Sequence, residues 1–176
     1  MKKIIIIGSS GSGKSTLSRE LAAILNLPLY HLDQMNWRSG WEEVPRDEQR
    51  RLQEDVVKGN KWIIDGNYGG TLDLRMQEAD TILFLDFHRV ICMTRAFKRV
   101  MTYRNQVRPD MAEGCPERFD LEFFKYIWNF PKQKTPHILK RLADLPDEKR
   151  VIHFRKPREV AEFLKELKNT KKAQTT

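Results

Sequence analysis

The sequence has few cysteines and no long apolar run. Cys92 and Cys115 are the only cysteines in 176 residues, which is too few for a disulfide scaffold or a four-thiolate zinc site. The longest aliphatic stretch, Ile4 to Ile7, is shorter than the core of a signal peptide and far shorter than a membrane span. We therefore expect a cytoplasmic protein that has no membrane partner.

Patterns that mark several other function classes are also missing. The histidines at 31, 88, 137 and 153 show no paired spacing that would indicate a metal site. The Asn-Lys-x-Asp pattern with which GTPases read their base is incomplete, because Asn60-Lys61 is followed by Trp62 and Ile63. Internal repeats and low-complexity tracts are absent, which leaves an ordinary globular domain as the expectation.

Basic residues outnumber acidic ones. The sequence has 32 Lys and Arg against 24 Asp and Glu, which gives a formal net charge of +8. A hydrophobic content of 40% excludes an intrinsically disordered chain. The excess positive charge indicates an anionic partner, which could be a small phosphorylated ligand or a nucleic acid.

Five short apolar runs, separated by helical patterns, predict an α/β protein. Several runs are continuously apolar, as expected for parallel strands that are covered on both faces. The predicted strands are Lys3 to Ile7, Pro28 to Leu32, Trp62 to Ile64, Thr81 to Leu85 and Val151 to Phe154. Helices are expected after the first strand, from Pro45, and from Pro157. Alternating strands and helices favour a layered parallel sheet.

The strongest motif follows the first strand. Residues Gly8 to Ser15 match the phosphate-binding pattern G-x-x-x-x-G-K-[ST]. Glycines let the backbone amides turn inward, Lys14 can reach the β- and γ-phosphates, and Ser15 can ligate Mg²⁺. We therefore expect ATP and Mg²⁺ to bind. The predicted nucleotide-binding residues are Gly8, Ser9, Ser10, Gly11, Ser12, Gly13, Lys14, Ser15 and Thr16.

Outside this loop, the sequence resembles the nucleoside monophosphate kinases and, more closely, the adenylate kinase-like family called DNA topology modulation proteins. The resemblance rests on the phosphate loop, His31 to Asp33, Trp62 to Tyr68, and the basic region from Arg95 through Arg118 to Pro131. It implies a three-layer P-loop NTPase fold with a five-stranded parallel sheet, a substrate insertion over 34–60 and a helical lid over 102–135. The kinase-like domain would span 1–168 and precede a flexible basic tail over 169–176, in a monomeric protein.

The resemblance implies transfer of the γ-phosphoryl group of ATP to a small anionic acceptor, a nucleoside monophosphate. Two alternatives stay open. The protein could be an ATP-binding, nucleic-acid-associated protein, or it could phosphorylate a phosphate-free metabolite, as do the shikimate and gluconate kinases that the fold also resembles.

Two aspartates are expected at the carboxyl ends of strands, where ligands of open α/β sheets bind. In related kinases an acid at the position of Asp65 holds the water shell of Mg²⁺, although Asp65 could simply begin a turn. Asp33 matches the acid that orients or deprotonates the acceptor, or it could cap a helix. After Asp65, the residues Asn67 and Tyr68 replace the usual D-G-F-P-R continuation, so that Arg75 is the nearest candidate for gripping an acceptor phosphate.

The basic segment from Phe87 to Pro109 contains no Asp or Glu. The spacing of Val90, Met93, Phe97 and Val100 predicts a core-facing helical stripe, with Arg95 and Arg99 together on another face. These two arginines match the start of an adenylate kinase-like lid and would offset charge on the transferring phosphoryl group. A solvated basic face is the alternative. Arg104, Arg108 and Arg118 are further candidates for substrate contact.

Three more features have both a binding and a structural interpretation. Trp37 and Trp41 could stack on an acceptor or pack a small core of the insertion. The acid-free run from Phe123 to Ala143 combines basic and aromatic residues, which would suit single-stranded nucleic acid. Its spacing also fits a helix that packs Leu121, Phe124 and Trp128 inward. Arg155 lies where related kinases cradle the adenine, so it could stack on that base or be merely exposed.

Overall fold

The computed structural model describes residues 1–175 and centres on one parallel sheet. In chain order the strands are β1 (Lys3–Gly8), β2 (Leu29–His31), β3 (Trp37–Arg38), β4 (Glu42–Glu43), β5 (Trp62–Asp65), β6 (Thr81–Leu85) and β7 (Arg150–Phe154). The helices are α1 (Lys14–Leu25), α2 (Leu32–Met35), α3 (Arg46–Val57), α4 (Leu72–Glu78), α5 (Arg89–Thr102), α6 (Leu121–Gln133), α7 (Thr135–Ala143) and α8 (Pro157–Thr175), with a 3₁₀ turn at Gly69–Thr71.

The main sheet has the strand order β2-β5-β1-β6-β7, and every neighbouring pair is parallel. All five strands predicted from the sequence are therefore confirmed, with ends that differ by at most one residue. Ile4 lies between Ile63 of β5 and Thr81 of β6, which fixes the register of the central strand. The carboxyl ends of β2, β5 and β1 consequently meet at one edge, where the candidate site lies.

Helices cover both faces of the sheet and give the predicted three layers. Ile4 to Ile7 have 0% exposure because their side chains alternate between two apolar clusters. One cluster joins the sheet to α1, α5, α6 and α8, and the other joins it to α3, α4 and α7. A strand that is covered on both faces has apolar residues at every position, which is why the sequence predicts β1.

The core-facing stripe of α5 matches the sequence prediction only in part. Val100 is buried and Met93 packs against the core, as predicted, whereas Val90 and Phe97 are 51% and 52% exposed. Cys92 and Ala96 are buried with Val100. The buried residues are four apart and small, so the helix packs closely on the sheet. The helix ends at Thr102.

The insertion and the lid pack against each other. Over 34–60 the chain forms α2, the antiparallel hairpin of β3 and β4, and α3. The lid is helical only from Leu121 onward, and residues 103–120 form a loop instead of the expected helices. Four hydrogen bonds join the two segments, between Gln34 and Pro109, Cys115 and Arg38, Gly40 and Gly114, and Trp41 and Pro116.

The acid-free run from Phe123 to Ala143 forms α6 and α7, which complete the core. Phe124, Ile127 and Phe130 are buried against the sheet, so the structural interpretation of these aromatic residues is favoured over nucleic-acid stacking. Leu121 and Trp128, which the sequence predicts to point inward, are 64% and 48% exposed. The guanidinium group of Arg89 instead lies over the ring of Trp128, with its Cζ 4.6 Å from the ring centroid.

The last helix continues farther than expected. Residues 169–175 of the predicted basic tail extend α8, and Thr176 lies outside the described residues. Within residues 1–175, none of the helices has the length and apolarity needed to cross a membrane.

Candidate active site

The loop between β1 and α1 forms an anion-binding cradle. Gly11 has a φ of 77°, a conformation that favours glycine, and a side chain there would collide with the carbonyl oxygen of Cys92. Because α1 begins at Lys14, its free amides and the positive end of its dipole face the loop. The Ser12 hydroxyl is buried and has no hydrogen-bond partner among residues 1–175. These features fit a phosphate chain.

Two cations contact this cradle directly. Lys14 Nζ donates hydrogen bonds to the carbonyl oxygens of Gly8 at 2.9 Å and Ser9 at 3.0 Å. Burial lowers the pKa of Lys14, although the charges of Asp33 and Asp65 oppose this shift. Arg95 Nη1 donates to the carbonyl oxygen of Ser12 at 3.1 Å. Both cations are therefore placed to contact phosphate oxygens that enter the loop.

Asn67 and Arg75 support the cradle from behind. The Asn67 side chain accepts from the Gly8 amide at 2.9 Å and donates to the Gly8 carbonyl at 2.5 Å. Arg75 has 0% exposure and donates to the carbonyl oxygens of Gly66, Asn67 and Tyr68. Burial lowers the pKa of Arg75 to about 9. The prediction that Arg75 grips an acceptor phosphate is wrong, because its guanidinium is committed to the backbone of the loop after β5.

A hydrogen-bonded chain fixes Asp33. The Trp37 indole N–H donates to the Tyr68 hydroxyl at 2.8 Å, and that hydroxyl donates to Asp33 Oδ1 at 2.9 Å. Burial, with the charge of Asp33 second, raises the pKa of Tyr68 well above its usual range. Tyr68 therefore remains a hydrogen-bond donor, and Asp33 Oδ2 is left to accept from a ligand.

Asp65 is held by side chains at the end of β5. Its Oδ2 accepts from the Ser18 hydroxyl at 2.6 Å, and its Oδ1 lies 2.9 Å from His31 Nδ1. Burial disfavours the protonated form of His31, but the hydrogen bond and charge of Asp65 outweigh burial and raise the pKa of His31. Among residues 1–175 there is no group of three or more His, Cys, Asp or Glu that could hold a metal ion.

This donor set nevertheless fits Mg²⁺ that arrives with a nucleotide. Mg²⁺ prefers oxygen ligands and usually combines one or two protein groups with waters and substrate phosphates. Ser15 and Asp65 both line the space beside the phosphate loop. Asp110, from the lid, lines the same space as Ser15 and Asp65.

The lid brings charged residues over the loop. Glu117 contacts both Arg99, with Nη2 to Oε1 at 3.0 Å, and Arg108, with Nε to Oε2 at 2.6 Å. Arg108 also contacts Asp110 at 2.9 Å. Burial disfavours ionisation of Asp110, but Arg108 and Ser15 outweigh it and hold the pKa of Asp110 below its usual range.

Trp37 and Trp41 pack together, and stacking on an acceptor stays a prediction. Their rings pack at 5.5 Å in an edge-to-face arrangement and cover the small lid cluster of Met111, Ala112 and Cys115. They also line a cavity, and the Arg118 guanidinium lies 5.2 Å from the Trp41 ring. The insertion therefore packs its tryptophans on the lid without removing them from the site.

Two cavities open beside the phosphate loop. The loop cavity, about 510 Å³, is lined by Gly11 to Thr16, Asp65, Arg95 and Asp110. The aromatic cavity, about 890 Å³, is lined by Trp37, Trp41, Tyr68, Tyr126 and basic residues of the lid, α6 and α7. Six residues line both cavities and define their junction: Ser10, Lys14, Asp33, Gly66, Arg99 and Arg108.

Two more predicted residues stay outside the site. Arg104 is exposed and lines neither cavity, because the backbone pairing of Arg104 with Glu117 lies at the base of the lid loop. Arg155 is exposed as well, and its backbone amide donates to Glu159. The wall of the loop cavity near α8 is formed by Pro157, Val160 and Leu164.

Several site residues are not apparent from the sequence. His31 carries a partial signal, since it lies near the end of the second predicted strand, two residues before Asp33. Asp110 and Glu117 carry none, because they lie in an irregular loop without periodicity. Tyr126 belongs to the helical pattern of α6, yet it lines the aromatic cavity.

No protein-family model matches the sequence. Among curated proteins the chain is similar to the shikimate kinase of Rhodococcus jostii (strain RHA1), with 29% identity over 130 residues that cover 66% of this chain and 74% of the relative. The resemblance to DNA topology modulation proteins is not confirmed by these comparisons.

Solved kinase structures share the fold. The shikimate kinase from Acinetobacter baumannii, in complex with shikimate, has a TM-score of 0.59 and 12% identity, and the match covers 95% of this chain and 90% of that one. A gluconokinase from Sinorhizobium meliloti 1021 has a TM-score of 0.51 and 13% identity, with coverage of 98% and 93%. By its fold, its phosphate loop and its curated relative, the chain is a P-loop phosphotransferase.

Proposed function

We propose that this protein transfers the γ-phosphoryl group of ATP to a hydroxyl group of a small anionic metabolite. The observation that carries the proposal is the junction of the two cavities, which six residues share. A nucleotide in the loop cavity and an acceptor in the aromatic cavity would meet between Lys14, Asp33 and Arg99. Bringing two reactants together in this way supplies much of the rate in phosphoryl transfer.

Two observations favour a phosphate-free acceptor over the nucleoside monophosphate that the sequence resemblance implies. Arg75, the candidate for gripping an acceptor phosphate, is buried on backbone carbonyls. The relatives named above are kinases of shikimate and gluconate, which are hydroxylated carboxylic acids. The cations Arg118, Lys134 and Lys140 on the cavity wall suit a negatively charged acceptor.

Asp33 would act as the base. With Oδ1 fixed by Tyr68, Oδ2 accepts the proton of the acceptor hydroxyl as its oxygen forms a bond to the γ-phosphorus. The bond from that phosphorus to the β–γ bridging oxygen breaks, and ADP leaves. Lys14, Arg99 and Arg108 would offset the charge on the transferring group, which spreads over three equatorial oxygens.

Ser15 and Asp65 are the residues that would hold Mg²⁺, Ser15 directly and Asp65 through water. When bound, the ion would neutralise charge on the β- and γ-phosphates. Asp110 would close over this point from the lid. The lid and the insertion together would exclude bulk water from the junction, which protects ATP from hydrolysis.

The test is a panel of acceptors incubated with ATP and Mg²⁺, in which ADP formation is followed. The panel contains hydroxylated carboxylic acids, uncharged polyols and nucleoside monophosphates. We expect a hydroxylated carboxylic acid to give the highest kcat/KM. Lys14→Ala should lower the rate by at least about 10²-fold, because it removes a preorganised positive charge from the developing phosphoryl charge.

Lys58→Ala is the matched control, since the Lys58 side chain is 73% exposed and pairs with Asp55, three residues earlier. It should leave the rate unchanged. No acceptor-dependent ADP formation with any compound would contradict the proposed function. A clear preference for nucleoside monophosphates would contradict the proposed acceptor class alone.

A further inference from the structure

Glu117 lies between the two lid arginines at the junction. One carboxylate oxygen, Oε1, accepts from Arg99 Nη2 at 3.0 Å and Nε at 3.3 Å. The other, Oε2, lies 2.6 Å from Arg108 Nε. The Glu117 side chain is only 5% exposed, and those of Arg99 and Arg108 are 23% and 8% exposed. One oxygen of this buried carboxylate therefore contacts each of the two guanidinium groups.

The backbone of Glu117 is fixed as well. Its amide donates to the Gln106 carbonyl at 2.9 Å, and its carbonyl accepts from the Asn105 amide at 3.2 Å. These two hydrogen bonds join the end of the lid loop to the residues that follow α5. The Glu117 side chain then reaches Arg99, one turn before the end of α5, and Arg108 inside the loop. The position of Glu117 is therefore fixed by its backbone hydrogen bonds as well as by its side-chain contacts.

The site has a reason to require a counter-charge at this point. Lys14, Arg99 and Arg108 all line the junction, so three cations gather there before any phosphate binds. Burial, followed by the charge of Arg108, lowers the pKa of Arg99, while Glu117 opposes both effects. Without an anion between them, the two guanidinium groups would repel each other and Lys14.

We infer that Glu117 is a positioning residue that holds Arg99 and Arg108 at the junction, ready for the transferring phosphoryl group. Each guanidinium has five N–H donors, and Glu117 engages two of those on Arg99 and one of those on Arg108. Arg108 also donates from Nη1 to Asp110 and from Nη2 to Met111 Sδ. The donors left for phosphate oxygens are therefore those of Arg99 that Glu117 does not engage and the second N–H on each Nη of Arg108. This inference rests on the proposed function, since it assigns Glu117 a part in phosphoryl transfer.

Glu117→Gln tests the inference, because glutamine keeps the shape and removes the charge. We expect kcat to fall at least tenfold while the KM for ATP changes less than threefold, because the arginines lose their placement for the transition state and Lys14 still binds the nucleotide. Glu113→Gln is the matched control. Glu113 is an exposed acid of the same lid that lines neither cavity, and its loss should change neither constant.

A second readout follows the arginines themselves. Butanedione modifies accessible guanidinium groups, and peptide mass spectrometry maps the modified positions. In Glu117→Gln, Arg99 and Arg108 should react at least fivefold faster than in the wild type. Arg158, whose side chain is 86% exposed, is the internal reference. A purely structural role would instead lower the melting temperature and speed modification at all arginines alike.

The two proposals fail in different ways. If the wild type transfers phosphate to no acceptor, the proposed function fails, and labelling alone then tests whether Glu117 holds the arginines. If transfer occurs and Glu117→Gln has normal kcat, or if Arg99 and Arg108 keep their slow labelling, the inference is overturned.

If Glu117→Gln does not fold, Glu117→Asp takes its place, with an expected fall in kcat of at least threefold and faster labelling of both arginines. Wild-type values for both readouts would overturn the inference.

Discussion

The two ends of the central sheet hold their acidic side chains in different ways. At the amino end, Asp80 accepts hydrogen bonds from the backbone amides of Lys2 at 2.7 Å and Lys3 at 3.0 Å, and from the Thr81 hydroxyl at 2.7 Å. At the carboxyl end, Asp33 and Asp65 are held by the side chains of Tyr68, Ser18 and His31. One end uses mainly backbone donors and the other uses side chains.

This difference separates a structural acid from the two acids for which we propose a function. The amides that bind Asp80 belong to the first residues of the chain, so Asp80 ties the start of β1 to the start of β6. At the carboxyl end, Asp33 uses Oδ1 to accept from Tyr68, and its Oδ2 accepts no hydrogen bond from residues 1–175. This oxygen is therefore available to a ligand while the sheet beneath it stays unchanged.

The largest effect is expected at the carboxyl end, from Asp33→Asn. Asparagine keeps the size of the side chain but cannot take the proton of the acceptor hydroxyl. We expect kcat to fall by about 10²–10⁴-fold, with little change in ATP affinity, as measured by ADP formation and by ATP titration.

Asp55→Asn, on an exposed side chain of α3, is the control for the loss of one negative charge and should retain full activity. A melting temperature within a few degrees of the wild type would show that Asp33→Asn leaves the fold intact. Normal turnover in this folded variant would contradict the proposed role of Asp33. The acids at the two ends of the sheet would then no longer differ in function.

The smallest effect is expected at the amino end, from Asp80→Asn. Burial opposes ionisation of Asp80, but Thr81 and the amides of Lys3 and Lys2 outweigh it and hold the pKa below its usual value of 3.8. The charged form therefore stabilises the fold above this value, and the stabilisation is lost as the pH falls through the lower pKa of the folded state. Because Asp80 is partly exposed, we expect a loss of only about 0.5–1 kcal/mol at neutral pH.

Urea unfolding at about pH 7 and about pH 3 measures this difference. The gap in unfolding free energy between the wild type and Asp80→Asn should be smaller at the lower pH. Phosphotransferase activity of the variant should match that of the wild type. A gap that grows as the pH falls, or a loss of turnover, would contradict the structural assignment of Asp80.

The sheet was predictable because burial on both faces leaves a plain sequence signal. β1 and β6 are continuous apolar runs, and the phosphate loop has a fixed pattern of glycines. The convergence of Asp33, Asp65 and Asn67 was also predictable, because parallel strands direct their carboxyl ends to one edge. The catalytic roles of these residues stay predictions until they are tested.

Arg75 shows where the reasoning from sequence failed and what could have corrected it. Its spacing of three from Leu72 and one from Met76 places it on the buried face of α4. We assigned it to the acceptor because it is the nearest arginine after Asp65, where related kinases continue with D-G-F-P-R. The predicted stripe of α5 was wrong at Val90 and Phe97, since small residues of the helix pack on the sheet instead.

The lid could not be predicted from local patterns. Asp110 and Glu117 lie in a loop whose shape depends on contacts with the insertion and with α5, which are distant in sequence. At Gly114, φ is 73° and a side chain would collide with Ser39, so this glycine permits the lid to approach the insertion. Only the folded chain shows that Glu117 meets Arg99 and Arg108.

Binding of ATP to the phosphate loop is the central claim, and calorimetric titration of the protein with ATP, with and without Mg²⁺, tests it most directly. The account predicts one binding site per chain, tighter with Mg²⁺ than without it, and lost in Lys14→Ala. A wild-type protein that binds no nucleoside triphosphate in the presence of Mg²⁺, or a Lys14→Ala variant with unchanged affinity, would contradict it.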